Sequence, residues 1–214
     1  MNIAIVANGE FIFNAAVDSV LRHAEMVIAA DNGGAYCLKH GILPDVLIGD
    51  FDSLPPHLLQ ELKIAETVII EYPKEKNASD LELALDYALE HAATEITVLG
   101  GLGNRWDMSL STLFLLSNPR YERILLTIVT HDQRLLFVNP LMPLLLTGQP
   151  GDIVSLLPLT PIVNGIETDH LHYPLSNETL YASSTRGVSN RLTDNSANVR
   201  VKEGVLLCIH TPQS

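Results

Sequence analysis

The chain has 214 residues, 47% of them hydrophobic and 18% charged, with a formal net charge of −12. This composition describes a compact soluble protein that can bury a real core, in one large domain or two small ones, and excludes a disordered chain. The acidic balance argues against a nucleic-acid-binding surface, which needs clustered Lys and Arg, but leaves room for metal-screened ATP and a cationic co-substrate.

Met1-Asn2-Ile3-Ala4-Ile5-Val6 lacks the basic start and long apolar centre of a signal peptide. No apolar run approaches membrane-spanning length; Leu141 to Leu146 is interrupted by Pro143. A cytoplasmic location, away from membranes, is the default expectation. Cys37 and Cys208 are the only cysteines, too few for a disulfide framework, and both fall in apolar contexts that predict buried thiols.

In chain order, Ile3 to Ala7, Met26 to Ala30, Val46 to Ile48, Thr67 to Glu71, Glu95 to Leu99 and Arg123 to Val129 are short runs rich in Val, Ile and Leu. Helical spacing fills the gaps, most clearly from Asp80 to Ala92, where Leu81, Ala84, Leu85, Ala88 and Leu89 recur at three- and four-residue intervals. Ser79 followed by Glu82 supplies a capping-box start. Continuous apolar strands alternating with helices predict a parallel sheet covered on both faces, a Rossmann-like α/β domain over residues 1–132.

After Thr130 the pattern changes. Six prolines, from Pro140 to Pro174, cut the chain into short pieces with turn signals at Gln149-Pro150-Gly151-Asp152 and Val163-Asn164-Gly165. Ile153 to Leu157 and Val205 to Ile209 read as strands, and no convincing amphipathic helix follows. Residues 133–214 therefore predict a small all-β sandwich, making the fold class α/β plus β.

Acidic residues collect at the strand ends of the first segment. In Gly49-Asp50-Phe51-Asp52-Ser53 an extended backbone would put Asp50 and Asp52 on one side and Phe51 on the other. Paired carboxylates without a basic neighbour in sequence repel unless a cation sits between them, and a hard ion such as Mg²⁺ suits oxygen donors. A solvated acidic turn closed by Ser53 is the bland alternative. Asp31, followed by Asn32-Gly33-Gly34, closes the second apolar run. Asp80 opens the helix after the fourth, preceded by Lys74, Lys76 and Asn77. Asp107 stands near a helix start after Gly100-Gly101-Leu102-Gly103-Asn104-Arg105, a loop that could cradle phosphate through its backbone N–H groups, with Arg105 adding a bidentate contact. Asp80 and Asp107 taken singly also fit a simple helix-dipole role. Ligands of open α/β sheets bind beyond the carboxyl ends of the strands, where these residues lie.

Together with Gly41-Ile42-Leu43-Pro44-Asp45, Ser79-Asp80-Leu81-Glu82-Leu83-Ala84 and the late Ser189-Asn190, these blocks resemble the thiamin pyrophosphokinase family along nearly the whole chain. Leu171-His172-Tyr173-Pro174-Leu175 is similar to part of that family's second domain. The resemblance implies Mg²⁺-dependent transfer of a diphosphoryl group from ATP to thiamin, giving thiamin diphosphate and AMP. It implies that Asp50, Asp52 and Asp80 surround the metal and polyphosphate as catalytic and metal residues. Asp31, Asn32, Gly33, Ser53, Ser79, Gly101, Asn104, Arg105 and Asp107 would lie on the nucleotide side. Ser189 and Asn190 would lie near the thiamin pocket, which in the family forms at a homodimer interface.

Three positions depart from the family pattern. Asn32 stands where Gly is usual, Asn77 where an Asp is usual, and Met108 where a His is usual. Two other readings follow: a related diphosphokinase acting on a pterin or thiamin-like alcohol, and a non-catalytic thiamin- or nucleotide-binding sensor. Asp169-His170-Leu171-His172 resembles a zinc pair but lacks a third clear ligand and is expected on a strand surface. Trp106 could stack on a base or pack at a helix start. Ser183 to Gly187 is a polar turn or a loop edging the acceptor pocket.

Overall fold

The computed structural model describes residues 1–9 and 12–213. The expected segments 1–132 and 133–214 include residues 10, 11 and 214, which lie outside the described residues. The chain divides into two compact units, Met1–Thr112 with Ile128–His131, and Leu113–Thr127 with Asp132–Ser214.

In the first unit, β1 (Asn2–Val6), β2 (Met26–Ala30), β3 (Val46–Gly49), β4 (Val68–Glu71) and β5 (Glu95–Leu99) form a parallel sheet in the order β4-β3-β2-β1-β5. Ile128 and Val129, at the end of β6 (Leu125–Val129), also belong to this unit. In β1, β2 and β5 every residue after the first is buried, the signature of strands covered on both faces. β4 ends the sheet order, and its Val68 and Glu71 are exposed.

The covering helices start and stop where local chemistry tells them to. α1 (Ala15–His23) is capped by Asn14, whose side chain accepts from Val17 N at 3.0 Å. α2 (Gly33–Lys39) follows β2, and α3 (Pro56–Ile64) begins with proline, whose missing N–H costs nothing in a first turn. α4 (Asp80–Glu90) is capped as expected, Ser79 Oγ accepting from Glu82 N at 3.2 Å, and it buries Ala84, Leu85 and Ala88. α5 (Trp106–Leu116) follows β5 and is succeeded by a 3-10 turn at Pro119–Tyr121.

α2 lies so close to the sheet that a Cβ on Gly33 would stand 2.0 Å from the Val6 carbonyl oxygen. Only glycine permits this approach.

In the second unit the expected sandwich is present. β7 (Arg134–Val138), β9 (Ile153–Pro158), β12 (Asn190–Arg191) and β14 (Leu206–Thr211) run antiparallel in the order β12-β9-β14-β7. β8 (Leu144–Thr147), β10 (Ile162–Thr168), β11 (Ser176–Tyr181) and β13 (Ser196–Arg200) form a second antiparallel sheet, β11-β10-β13-β8. Val154, Leu156, Leu206 and Cys208 of the first sheet share one core with Leu146, Val163, Ile166, Ala197 and Val199 of the second. The alternating burial of β8 and β13 matches sheets with one face inside.

The turn signal at Val163-Asn164-Gly165 proves to be an irregularity inside β10. The register with β11 shifts between Val163 and Ile166, and Gly165 takes φ 63°. Turn chemistry here bends a strand without ending it. Asp169 to His172 lies in the loop between β10 and β11, not on a strand as expected, and Asp169 is engaged by Asn198 N and Nδ2, each at 2.7 Å.

Both cysteines are buried, in α2 and β14, and burial pushes each thiol up to about 12. No helix among the described residues is long and apolar enough to cross a membrane.

A buried polar network ties the sandwich together. His210 of β14 is 1% exposed, with Nε2 2.8 Å from Asp152 Oδ2 and Nδ1 3.1 Å from Arg134 Nη2. A guanidinium only donates, so Nδ1 is the acceptor and Nε2 carries the proton given to Asp152. The imidazole is therefore neutral. Asp152 also accepts from Gln149 N at 2.9 Å and Gln213 N at 2.8 Å. Burial resists its charge, but these N–H groups and His210 outweigh that and hold its carboxyl below the usual range.

Burial, helped by the Arg134 charge and opposed by Asp152, holds His210 below its ordinary 6.5. The unfolded chain therefore takes up this proton first as pH falls, and the stability tied to the neutral ring is present above 6.5 and lost through the lower folded value. Urea midpoints should fall from about pH 7.5 to about pH 5.5, with a shallower slope in His210→Gln. Equal slopes would remove His210 as the source. Gly33→Ala should lower stability by about 1–3 kcal/mol in the same assay, since the new methyl must displace backbone.

Candidate active site

The carboxylates marked out in sequence stand where elements of the first unit end or begin. Asp31 follows β2, Asp50 follows β3, Asp80 opens α4 and Asp107 lies in the first turn of α5. Two backbone positions among them are left-handed, Asp31 at φ 50° and Phe51 at φ 58°. For a bulky residue such as phenylalanine that conformation costs about 1–3 kcal/mol and persists only where its surroundings impose it.

The extended backbone expected through Asp50-Phe51-Asp52 is thus replaced by a turn. Asp52 N donates to Asp50 Oδ1 at 3.1 Å, and Phe51 is buried in the core while Asp52 is exposed. Asx-turn chemistry, not strand alternation, brings the two carboxylates to one side. That backbone N–H, first among several contacts, holds the Asp50 carboxyl below its ordinary value.

Asp31, Asp50 and Asp52 each offer a carboxylate oxygen within 4.8 Å of the others. Asp31 is 8% exposed; its Oδ2 accepts from Ser53 Oγ at 2.5 Å, and its Oδ1 is buried with no hydrogen-bond partner. A buried, unpaired carboxylate oxygen is costly, and a hard cation among three such oxygens would relieve it. The donor set fits Mg²⁺.

Two lysines that sequence reading left without a role enter this site. Lys74 pairs with Asp52 from the surface. Lys76 is more enclosed, its side chain 14% exposed, with Nζ 2.9 Å from Asp80 Oδ1 and 3.4 Å from Asp50 Oδ2. The contact to Asp80 is an ion pair without hydrogen-bond alignment. Burial raises the Asp80 carboxyl above its ordinary value despite that lysine. For Lys76 burial works the other way, yet Asp80 and Asp50 outweigh it and raise the ammonium.

The glycine-rich loop after β5 is tied to this cluster through the loop after β1. Gly9 N donates to Gly100 O at 2.8 Å, and a Cβ on Gly9 would meet that oxygen at 2.2 Å. Next to it, Asn8 Oδ1 accepts from Asn32 Nδ2 at 3.0 Å, so the Asn that departs from the family pattern, directly after Asp31, is braced by the loop after β1. Ser109 closes the glycine loop, its Oγ accepting from Gly103 N and donating to Gly103 O, both at 3.1 Å. Asn8, Gly9 and Ser109 were missed in sequence because each is a single small residue whose partner is distant or in another turn.

Arg105 and Asp107 engage each other, Nη2 to Oδ2 at 2.6 Å, and both are exposed. Trp106 is 78% exposed, so it does not pack in the core at the helix start. Asn77, Asn104 and Met108 are exposed, and Gly101 is half-buried.

Ser189 and Asn190 belong to the second unit. Ser189 is exposed at φ 62° and its N donates to Ser155 Oγ at 3.0 Å. Asn190 is 6% exposed and holds the Tyr173 backbone at both ends, Oδ1 accepting from N at 3.0 Å and Nδ2 donating to O at 2.8 Å. It thereby forms one wall of a cavity of about 430 Å³ lined also by Leu156, Tyr173, Leu175, Arg186 and Val188. Arg186, at the edge of the Ser183 to Gly187 turn, is paired with Glu178.

Residues 17–128 match the family model "Thiamin pyrophosphokinase, catalytic domain", and residues 145–206 match "Thiamin pyrophosphokinase, vitamin B1 binding domain". The chain is similar to the thiamine pyrophosphokinase of Bacillus subtilis (strain 168), 27% identical over 184 residues that span 86% of each protein. The crystal structure of thiamine pyrophosphokinase from Bacillus subtilis matches with a TM-score of 0.86 at 25% identity, covering 100% of both chains. That from Geobacillus thermodenitrificans gives 0.83 at 27% identity, covering 100% of this chain and 99% of the other. Thiamin pyrophosphokinase from Candida albicans, at 18% identity and a TM-score of 0.81 over 98% of this chain and 88% of its own, shares the fold. By these matches in both halves, the chain belongs to the thiamin pyrophosphokinase family.

Proposed function

We propose that the chain transfers a diphosphoryl group from ATP to the hydroxyethyl oxygen of thiamin in a Mg²⁺-dependent reaction, giving thiamin diphosphate and AMP. The observation that carries the metal reading is the trio of carboxylate oxygens within 4.8 Å, one member of which has a buried, unpaired oxygen. Asp50, Asp52 and Asp80 would hold the ion, as the family resemblance implies, with the unpaired oxygen of Asp31 beside them. When bound, Mg²⁺ offsets charge on the triphosphate as the bond to the leaving group lengthens.

The chain's own residues supply position and a path for the proton. The acceptor hydroxyl oxygen forms a bond to the β-phosphorus, and the bond from that phosphorus to the α,β-bridging oxygen breaks. AMP leaves with the bridging oxygen and its electron pair, and the hydroxyl proton passes to Asp52 or Asp80. Ser53 fixes Asp31, the loop from Gly100 offers its backbone to phosphate, and Asn104, Arg105 and Asp107 stand on the nucleotide side with Asn32, Gly33, Ser79 and Gly101. Ser189 and Asn190 frame the thiamin side, Asn190 by fixing the Tyr173 backbone.

The enzyme works in the cytoplasm as a homodimer with acceptor sites at the subunit interface, the arrangement its family resemblance implies. The apolar side chains of Trp106, Leu110 and Phe114, exposed on α5, support a face covered by a second copy.

A coupled AMP-release assay with ATP, Mg²⁺ and thiamin tests the reaction, with hydroxymethylpterin as the control acceptor. AMP should form with thiamin and not with the pterin, and chelation of the metal should abolish it. Asp52→Asn should reduce turnover by roughly two orders of magnitude or more with an unchanged circular dichroism spectrum. Wild-type turnover in that variant would sink the assignment of Asp52.

A further inference from the structure

The order of the parallel sheet reverses at β1, which has β2 on one side and β5 on the other. In an open α/β sheet the loops leaving the strands at such a point flank the ligand crevice. Here they are the loop after β1 and the glycine-rich loop after β5. Glycines lose the most conformational freedom when ordered, so a phosphate that meets a loose loop must offset that loss from its own binding energy. A loop already fixed by the fold removes the penalty from the binding step.

The fold holds this loop along its length. At its start, Gly9 N donates to Gly100 O at 2.8 Å. Gly101 is pressed between β5 and α5, where a Cβ would stand 2.8 Å from Val98 Cγ1 and 3.5 Å from Thr112 Cγ2. Farther on, Ser109 Oγ accepts from Gly103 N and donates to Gly103 O, both at 3.1 Å. The first contact is between backbones and the second is one of shape, so the hold on Gly103 is the one a side-chain hydroxyl supplies. Ser109 is 8% exposed and sits in α5, its own N donating to Arg105 O at 3.0 Å. A buried hydroxyl that binds both the N–H and the carbonyl of one loop residue serves the loop, not a ligand.

We propose that Ser109 is a positioning residue for the nucleotide, acting through Gly103: its hydroxyl holds the phosphate-facing loop in its binding shape before ATP arrives. The inference rests on the diphosphokinase reading above and adds to it a residue that serves ATP alone. Without the hydroxyl the loop regains its freedom, and ATP must order it on binding. The acceptor side is unaffected, since Ser189 and Asn190 lie in the second unit. Once ATP is bound the loop is ordered in either case, so the chemical step keeps its rate.

Calorimetric titration of the full chain with ATP and Mg²⁺, without thiamin, reads the effect directly. Ser109→Ala should bind ATP about tenfold more weakly, the order expected when a pair of neutral hydrogen bonds is lost. In the AMP-release assay its KM for ATP should rise alike, while kcat and the KM for thiamin stay within about twofold of wild type. Val17→Ala, which trims the core under α1, controls for a general loss of stability and should leave ATP affinity unchanged. A folded Ser109→Ala that binds ATP as tightly as wild type, that loses ATP and thiamin in parallel, or that Val17→Ala matches, would overturn the role of Ser109. If Ser109→Ala fails to fold, Ser109→Cys, whose thiol is a weak donor and acceptor, takes its place under the same criteria. Wild type that binds no ATP would overturn the diphosphokinase reading as well.

Discussion

Carboxylates whose oxygens come within 4.8 Å of one another repel, and the first unit holds three of them at that separation. The work is done by backbone. β2 and β3 are adjacent parallel strands, so their ends deliver Asp31 and Asp50 side by side, and the left-handed Phe51 turns Asp52 back toward them. A buried aromatic ring anchors that turn, and Ser53 fixes one oxygen of Asp31. The packing of this unit and its chemistry are therefore one problem: the core must be rigid enough to keep like charges together until a cation offsets them.

The second unit solves a different problem by different means. Burial alternates along β8 and β13, and the buried His210 network pins β14 to Arg134 and to the turn before β9. Asn190 repeats the device at the cavity, spending both ends of its amide on one residue's backbone. The course of the cavity wall at Tyr173 is therefore set by Asn190.

Much of this was legible in the sequence because it is local. Uninterrupted Val and Ile runs marked the parallel strands, and Ser79 with Glu82 marked the start of α4 within its own first turn. The strand-end positions of Asp31 and Asp50 and the helix-start position of Asp80 followed from the same pattern. What stayed hidden depends on partners remote in sequence or on backbone angles that composition does not encode. Phe51 carries no sign of its left-handed conformation. Val163-Asn164-Gly165 has the composition of a turn, and only pairing with β11 makes it a bend within a strand. Lys76 carried no role in the sequence, because its contact with Asp50 spans 26 residues. Asn8 and Gly9 matter only through Asn32 and Gly100, which neighbouring strands bring to them.

The two buried thiols have a practical corollary. With both sulfurs sealed in core and pushed up to about 12, neither presents thiolate to oxidants or alkylating reagents while the fold is intact. The clustered residues Asp31, Asp50 and Asp52 carry no sulfur, so oxidation of either thiol would require the fold to open first. A cysteine introduced at an exposed position would be the one thiol open to labelling, which gives spectroscopic probes a background-free handle on the protein.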